Sequence, residues 1–101
     1  MLTLLQTPAF VRWLAGLADL QAKARILLRL EAFGRGHAGD VKALGLGLHE
    51  MRVDVGGGYR LYLTHARRGG ILLLWGGPKR SQRRDMAKAR RLFNQWKESD
   101  E

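Results

Sequence analysis

Cysteine is absent from this 101-residue chain. That excludes a disulfide framework, a thiol nucleophile and a zinc–thiolate centre, and it fits a reducing compartment. Long apolar runs are missing as well. No stretch approaches the roughly 20 residues of a membrane span. No basic segment followed by an extended apolar run opens the chain, so a signal peptide is not expected and the cytoplasm is the expected location. Histidines are few, and His37, His49 and His65 lack the spacing of metal ligands. No Ser-His-Asp arrangement is arguable. The runs GLGLH (45–49) and GGGYR (56–60) lack the lysine and the strand–loop–helix context of a phosphate-binding loop. No metal, no cofactor and no membrane partner are therefore expected.

Acids are scarce too: nine Asp and Glu stand against eighteen Lys and Arg, a formal net charge of +9. The excess is local. Between Arg67 and Lys97 ten cations accompany one acid, Asp85. A positive field of that density favours a polyanion or an acidic protein as partner. The length suits one domain, residues 1–101, with one real core, and no repeat, low-complexity segment or linker interrupts it.

Periodicity then sets out the elements. Residues 2–6 (LTLLQ) read as a short strand. Thr7 is a good N-cap and Pro8 suits the first helical position. Phe10, Val11, Leu14 and Leu17 follow at helical spacing. Asp19 opens a second helix whose apolar stripe is Ala22, Ile26, Leu30 and Phe33, with Lys23, Arg25 and Arg29 pointing elsewhere and Gly34 at its end. Two helices so closely joined predict an antiparallel hairpin.

After the glycine-rich loop 34–40 the period becomes two. Met51, Val53 and Val55 share one face, and Glu50, Arg52 and Asp54 the other. Gly56–Gly58 turns the chain into a second strand with Tyr59, Leu61 and Leu63 opposite Arg60, Tyr62 and Thr64. RRGG (67–70) predicts a hairpin turn, and ILLLW (71–75) a covered strand ending at Gly76-Gly77. Ser81 is placed to cap a last helix with Met86, Ala89, Leu92, Phe93 and Trp96 on its apolar side. The expected fold is α+β with two layers. The N-terminal strand and helix hairpin pack on a mainly antiparallel sheet, and a C-terminal helix follows.

On this reading the sheet face away from the helix pair carries Glu50, Arg52, Arg60 and Tyr62. Gly76-Gly77 acts as a hinge that brings Lys79 and Arg80 to its rim. Guanidinium groups match phosphate in a bidentate way, and they stabilise charge that builds when a 2′-hydroxyl attacks an RNA phosphate. Tyr62 is a candidate for stacking on a base, and Arg80, Arg83 and Arg84 for backbone contacts. Arg52 with Glu50 reads equally as an ion pair, and Tyr62 as a packing residue. His49 falls on the apolar side by strict alternation, as a structural histidine, unless a bulge turns it outward. Removing Arg60 is expected to leave the fold intact.

Several segments together resemble a known family. They are Phe10, Trp13 and Leu14; Arg29-Leu30; the glycines 34, 36 and 39 leading into Asp40-Val41-Lys42; Gly47-Leu48-His49-Glu50-Met51-Arg52; Gly58-Tyr59-Arg60-Leu61-Tyr62; and Leu74-Trp75-Gly76-Gly77 followed by Lys79, Ser81, Gln82 and Asp85. In this order they resemble the bacterial addiction-module killer proteins, the HigB-like branch of the RelE/ParE toxin superfamily, over essentially the whole chain. The resemblance implies a type II toxin neutralised by a small antitoxin encoded beside it, of helix-turn-helix type. RelE-like members cut mRNA on the ribosome without a metal, and ParE-like members inhibit DNA gyrase on a similar fold. By motif, Arg60 falls on a catalytic arginine, Lys79 on the basic residue after the last-strand glycines, and Arg52 on the strand that bears basic catalytic residues. Tyr62, His49, Arg80, Arg83 and Arg84 are then RNA-binding candidates. The chain departs from the pattern in having no tyrosine or histidine after His65 to act as acid or base.

Overall fold

Thr7 takes an extended backbone conformation, and its hydroxyl accepts from the Phe10 amide at 3.0 Å, closing the first turn of α1 (Pro8–Ala15). Asp19 does the same for the Ala22 amide at the start of α2 (Leu20–Gly34), also at 3.0 Å. Both caps satisfy donors that a helix cannot bond internally. The computed structural model describes residues 2–67 and 69–99. Before α1 lies β1 (Leu4–Gln6); after α2 come β2 (Val41–Gly45), β3 (Leu48–Val53), β4 (Tyr59–His65) and β5 (Ile71–Pro78). A single 3₁₀ turn, Lys79–Ser81, leads into α3 (Gln82–Ser99).

The strands form one five-stranded mixed sheet in the order β1-β5-β4-β3-β2. β1 runs parallel to β5, and the other pairs are antiparallel. The result is an α+β domain, as the periodicity indicated. The alternation in β3 and β4 also holds: Met51, Val53, Leu61 and Leu63 join Phe10, Leu14, Ile26, Leu30 and Phe33 in a core under α1 and α2. The turn expected at 67–70 includes Arg68, which lies outside the described residues; at its base the Ala66 amide donates to the Gly70 carbonyl at 3.0 Å.

Three expectations change. There are three layers, not two. Ala89 and Phe93 of α3, flanked by Met86, Leu92 and Trp96, pack on Leu48, Tyr62, Leu72 and Leu74, which belong to the opposite face of the sheet. The stripe on α3 needed an apolar surface, and the even-numbered side chains of β5 offered one. Trp96 itself is half-buried at the edge of this cluster, stacked beside Phe93 with ring centroids 6.4 Å apart.

Second, β2 is an additional edge strand. It pairs Val41 with Met51 and Lys42 with Glu50, and returns through Gly45, Leu46 and Gly47, all with positive φ. Its half-buried residues, Val41 and Leu44, are three apart with exposed residues between them, so it carries no period of two.

Third, β5 does not end at the glycines. Gly76 and Gly77 are buried and sit within the strand, so they are not a hinge. Their lack of a side chain serves close approach instead. A Cβ on Gly76 would lie 2.5 Å from the Trp13 ring, and one on Gly77 would run into the Asp85 carboxylate. Trp13 of α1 and Asp85 of α3 thus press on the same strand from opposite sides.

Candidate functional site

Arg52 and Arg60 are directly opposite each other in the β3–β4 ladder. Like charges in that relation destabilise a sheet, typically by a few tenths to about 1 kcal/mol relative to a neutral pair. Each arginine is held by its own carboxylate. Arg52 Nη2 donates to Asp40 Oδ1 at 2.9 Å, a pair exposed enough to contribute little by itself. Arg60 Nε lies 3.8 Å from Glu50 Oε2, with side chains only 11% and 2% exposed. The two acids lie on different elements, the loop before β2 and β3 itself.

The two arginines share a concavity of about 450 Å³ at the end of the sheet. Here β3 finishes, β4 starts and β5 runs out into Lys79. Lys79 lines it, as do Asp40, Asp54 and the turn glycines 57 and 58. Gly58 has φ +101, open to glycine and strained for other residues, and its carbonyl accepts from the Lys79 amide at 3.1 Å. That bond ties the β3–β4 turn to the end of β5, which is how Lys79 arrives beside Arg60. The three residues the resemblance marked as catalytic, Arg52, Arg60 and Lys79, are therefore brought together. Their convergence depends on the β3–β4 pairing and on the exit path of β5, not on a hinge at Gly76-Gly77.

Two further cations line this concavity, Arg25 and Arg29 of α2. Helical spacing placed them off the apolar stripe of α2 and gave them no role. The i, i+4 spacing that puts both on one helix face was legible; which face met the sheet end was not. Arg29 also holds the glycine-rich loop against α2, donating from Nη2 to the Ala38 carbonyl at 2.5 Å.

The remaining candidates lie elsewhere. Arg80, Arg83 and Arg84 are exposed and line a separate shallow depression with Ser81 and Ala87 at the start of α3. His49 has the parity of Met51 and Val53, on the α1/α2 face of β3. It packs edge-on against His65 at 5.5 Å, its Nδ1 buried without a hydrogen-bond partner. It is not part of the basic concavity.

Tyr62 is fully buried beneath α3 and presents no face for a base to stack on; it is a packing residue. Its phenol is pushed well above its ordinary pKa, by burial first and then by the Glu50 and Asp85 carboxylates. It stays protonated at neutral pH and is no base.

Under the first turn of α3 the sheet face is polar. Asp85, 5% exposed, accepts from Trp75 Nε1 at 3.0 Å and from the Ser81 hydroxyl at 2.5 Å. Ser81 was expected to cap α3, but its hydroxyl donates to the Asp85 carboxylate and to the Pro78 carbonyl, and among the described residues no α3 amide donates to it. Glu50, 1% exposed, accepts from Gln82 Nε2 at 2.6 Å. Arg60 is consequently half of a buried pair. Removing its side chain would leave the Glu50 carboxylate in the interior with Gln82 but without its cation, at a cost of about 3–5 kcal/mol, so Arg60→Ala is expected to weaken the fold rather than leave it intact.

No group of three or more His, Asp or Glu among the described residues is arranged to hold a metal ion. No described helix is long and apolar enough to cross a membrane. Fold and site thus define a class: a small α+β domain with a five-stranded mixed sheet and a concavity dominated by cations at one sheet end. No family model matches the chain, and no solved structure matches it. A protein of Haemophilus influenzae (strain Rd), described as uncharacterized, is 40% identical over 86 residues, covering 85% of this chain and 87% of that protein. The chain belongs to the same family as that protein.

Proposed function

We propose that this chain is the toxin of a type II toxin–antitoxin pair, of RelE-like kind, and that it cleaves mRNA without a metal. The observation that carries the reading is the convergence of Arg52, Arg60 and Lys79 on one concavity. Two arginines opposed across a ladder are a cost to the free protein and an asset to one that binds a phosphate. The segments that resemble the killer proteins support the same reading, because the residues they mark are those that converge.

In the proposed reaction the RNA 2′-oxygen attacks the adjacent phosphorus and the bond to the 5′-oxygen breaks. The products are a 2′,3′-cyclic phosphate and a 5′-hydroxyl end. Negative charge builds on the phosphoryl oxygens in between. Arg60, held from behind by Glu50, and Arg52 face that charge, and their preorganisation lowers the barrier. Lys79 supplies a further cation beside the leaving 5′-oxygen, which takes its proton from water as the bond to phosphorus breaks. Asp54 lines the concavity and forms no ion pair among the described residues, so it is the carboxylate free to take the 2′-proton. Arg80, Arg83 and Arg84 extend the positive surface for the flanking strand. A small antitoxin carrying acidic residues masks the basic surface, since complementary charge speeds and directs association.

The test is induced expression with primer extension on mRNA, alongside labelling of new protein and DNA. Lys79→Ala and Arg52→Ala alter exposed side chains and keep the fold. Arg60→Lys retains charge at the buried pair but loses the bidentate fork. New 5′ ends in the wild type that fall on the order of 100-fold in folded Arg60→Lys, with growth rescued by the neighbouring small protein, support the reading. Toxicity without new 5′ ends, with early arrest of DNA synthesis, overturns it in favour of gyrase inhibition. Normal growth under verified soluble expression overturns both.

A further inference from the structure

We infer that Glu50 and Gln82 together form a positioning clamp that aims the Arg60 guanidinium into the concavity, which makes the first turn of α3 part of the site. This inference rests on reading the concavity as a phosphate site. Arg60 is largely enclosed, with its side chain 11% exposed and that exposure at the concavity. Across the ladder stands Arg52 on one flank and Gly77, with no side chain, on the other. A Cβ on Gly58 would stand 3.4 Å from Arg60 Nη1, so that end of the guanidinium lies at the turn that lines the concavity. The other end, Nε, is buried, faces Glu50 at 3.8 Å and makes no hydrogen bond. Glu50 thus neutralises the inner edge of the guanidinium without occupying its outer donors. Those remain for a ligand.

Glu50 would not hold that place unaided. Its carboxylate is buried, and a buried carboxylate needs donors. Gln82, the first residue of α3, supplies one at 2.6 Å. Gln82 is in turn set by its neighbours, because Ser81 and Trp75 both donate to Asp85 one turn along the helix. Asp85 sits over Gly77, where a side chain would exclude it. The chain of contacts runs from Asp85 and α3, through Gln82 and Glu50, to Arg60. Glu50 is therefore a positioning residue rather than the general base. Its carboxylate is turned to Gln82 and Arg60 in the interior, while the reacting phosphate would lie on the far side of the guanidinium.

The clamp is tested on the full-length protein with Glu50→Gln and Gln82→Ala. Gln82 is half-buried and belongs to neither apolar cluster, so its truncation removes one hydrogen bond and no core packing, a milder change than Glu50→Gln. Three quantities are read: affinity for a 10-nucleotide 2′-O-methyl RNA, single-turnover cleavage of the matching RNA, and the nitrogen-15 resonance and hydrogen exchange of the Arg60 Nε–H group. A misplacement of about 1 Å costs on the order of 100-fold in rate. In each folded variant the clamp accordingly requires cleavage to fall by about 10- to 100-fold, with affinity changed less than about twofold and Arg60 Nε–H exchanging at least about tenfold faster. An Arg60 Nε–H signal that is unchanged in both variants overturns the clamp whatever cleavage does. So does a shifted signal with undiminished cleavage. A wild type that neither binds nor cleaves RNA defeats the functional reading alone; an Arg60 signal that still depends on Glu50 and Gln82 then upholds the clamp.

Discussion

The two faces of the sheet solve the same packing problem with different chemistry. Under α1 and α2 the core is an apolar cluster of Phe10, Leu14, Ile26, Leu30, Phe33, Met51, Val53, Leu61, Leu63, Ile71 and Leu73, with half-buried His49 as the polar side chain on that face of β3. Under α3 only one part is apolar, around Leu48, Leu72, Leu74, Ala89 and Phe93. The remainder is a buried polar network of Glu50, Arg60, Gln82, Ser81, Asp85 and Trp75. Apolar burial is roughly proportional to area and indifferent to direction. Buried polar groups are directional, and an unsatisfied one costs about 1–3 kcal/mol. The first face is therefore a foundation. The second trades stability for fixed orientation, which a phosphate-binding arginine needs.

The sharpest way to break the comparison is to disturb the foundation. Phe10 is fully buried against the Trp13 ring at 5.7 Å. Phe10→Ala should cost about 3–5 kcal/mol, seen as a large drop in the urea midpoint. Arg60→Ala should cost a similar amount for the opposite reason, by stranding Glu50. The double variant Arg60→Ala/Glu50→Gln should recover part of that loss in the same titration. If it recovers nothing, the cost is one of packing and the two faces do not differ as argued.

Smaller changes sharpen the contrast. Gly76→Ala puts a methyl group into the Trp13 ring, and overpacking of this kind costs about 1–3 kcal/mol. Thermal unfolding would show it, and Trp13→Leu in the same chain should relieve much of it. Trp96→Ala, at a half-buried position, should cost only about 1–2 kcal/mol, less than for a buried ring; a larger loss would mean that α3 depends on its C-terminal end.

The smallest effect concerns Tyr62, whose buried hydroxyl has no hydrogen-bond partner. Tyr62→Phe should be neutral or stabilising by up to about 1 kcal/mol at neutral pH. The alkaline limb gives a second readout. The folded phenol keeps its proton above the ordinary pKa of 10.0, where the unfolded phenol loses its own. The folded state then binds more protons, so stability falls as pH rises above 10. Tyr62→Phe should flatten that fall. Equal slopes for both proteins would show that Tyr62 is not held neutral by its surroundings.

What the sequence determined by itself was what local physics decides. Thr7 and Asp19 cap their helices because a side-chain oxygen satisfies amides three residues on. The period of two in β3 and β4 assigned Met51 and Leu61 to one face and Arg52 and Arg60 to the other, because side chains in a strand alternate strictly. Alternation thereby put the two arginines together, whereas Lys79 was marked by the resemblance and by a hinge at Gly76-Gly77 that the structure does not have. What only the tertiary structure decided was what lay against each face. The stripe of α3 showed that the helix would pack, but not on which side of the sheet, and that choice buried Tyr62 and Glu50. Gly76 and Gly77 signalled freedom to turn, yet they serve Trp13 and Asp85, residues 63 and 8 positions away in the chain. Arg25 and Arg29 carried no signal of a site because their neighbours there come from β3, β4 and the end of β5. Caps and alternation depend on neighbours in sequence, whereas packing depends on what folding brings close, and the site is assembled from the second kind of contact.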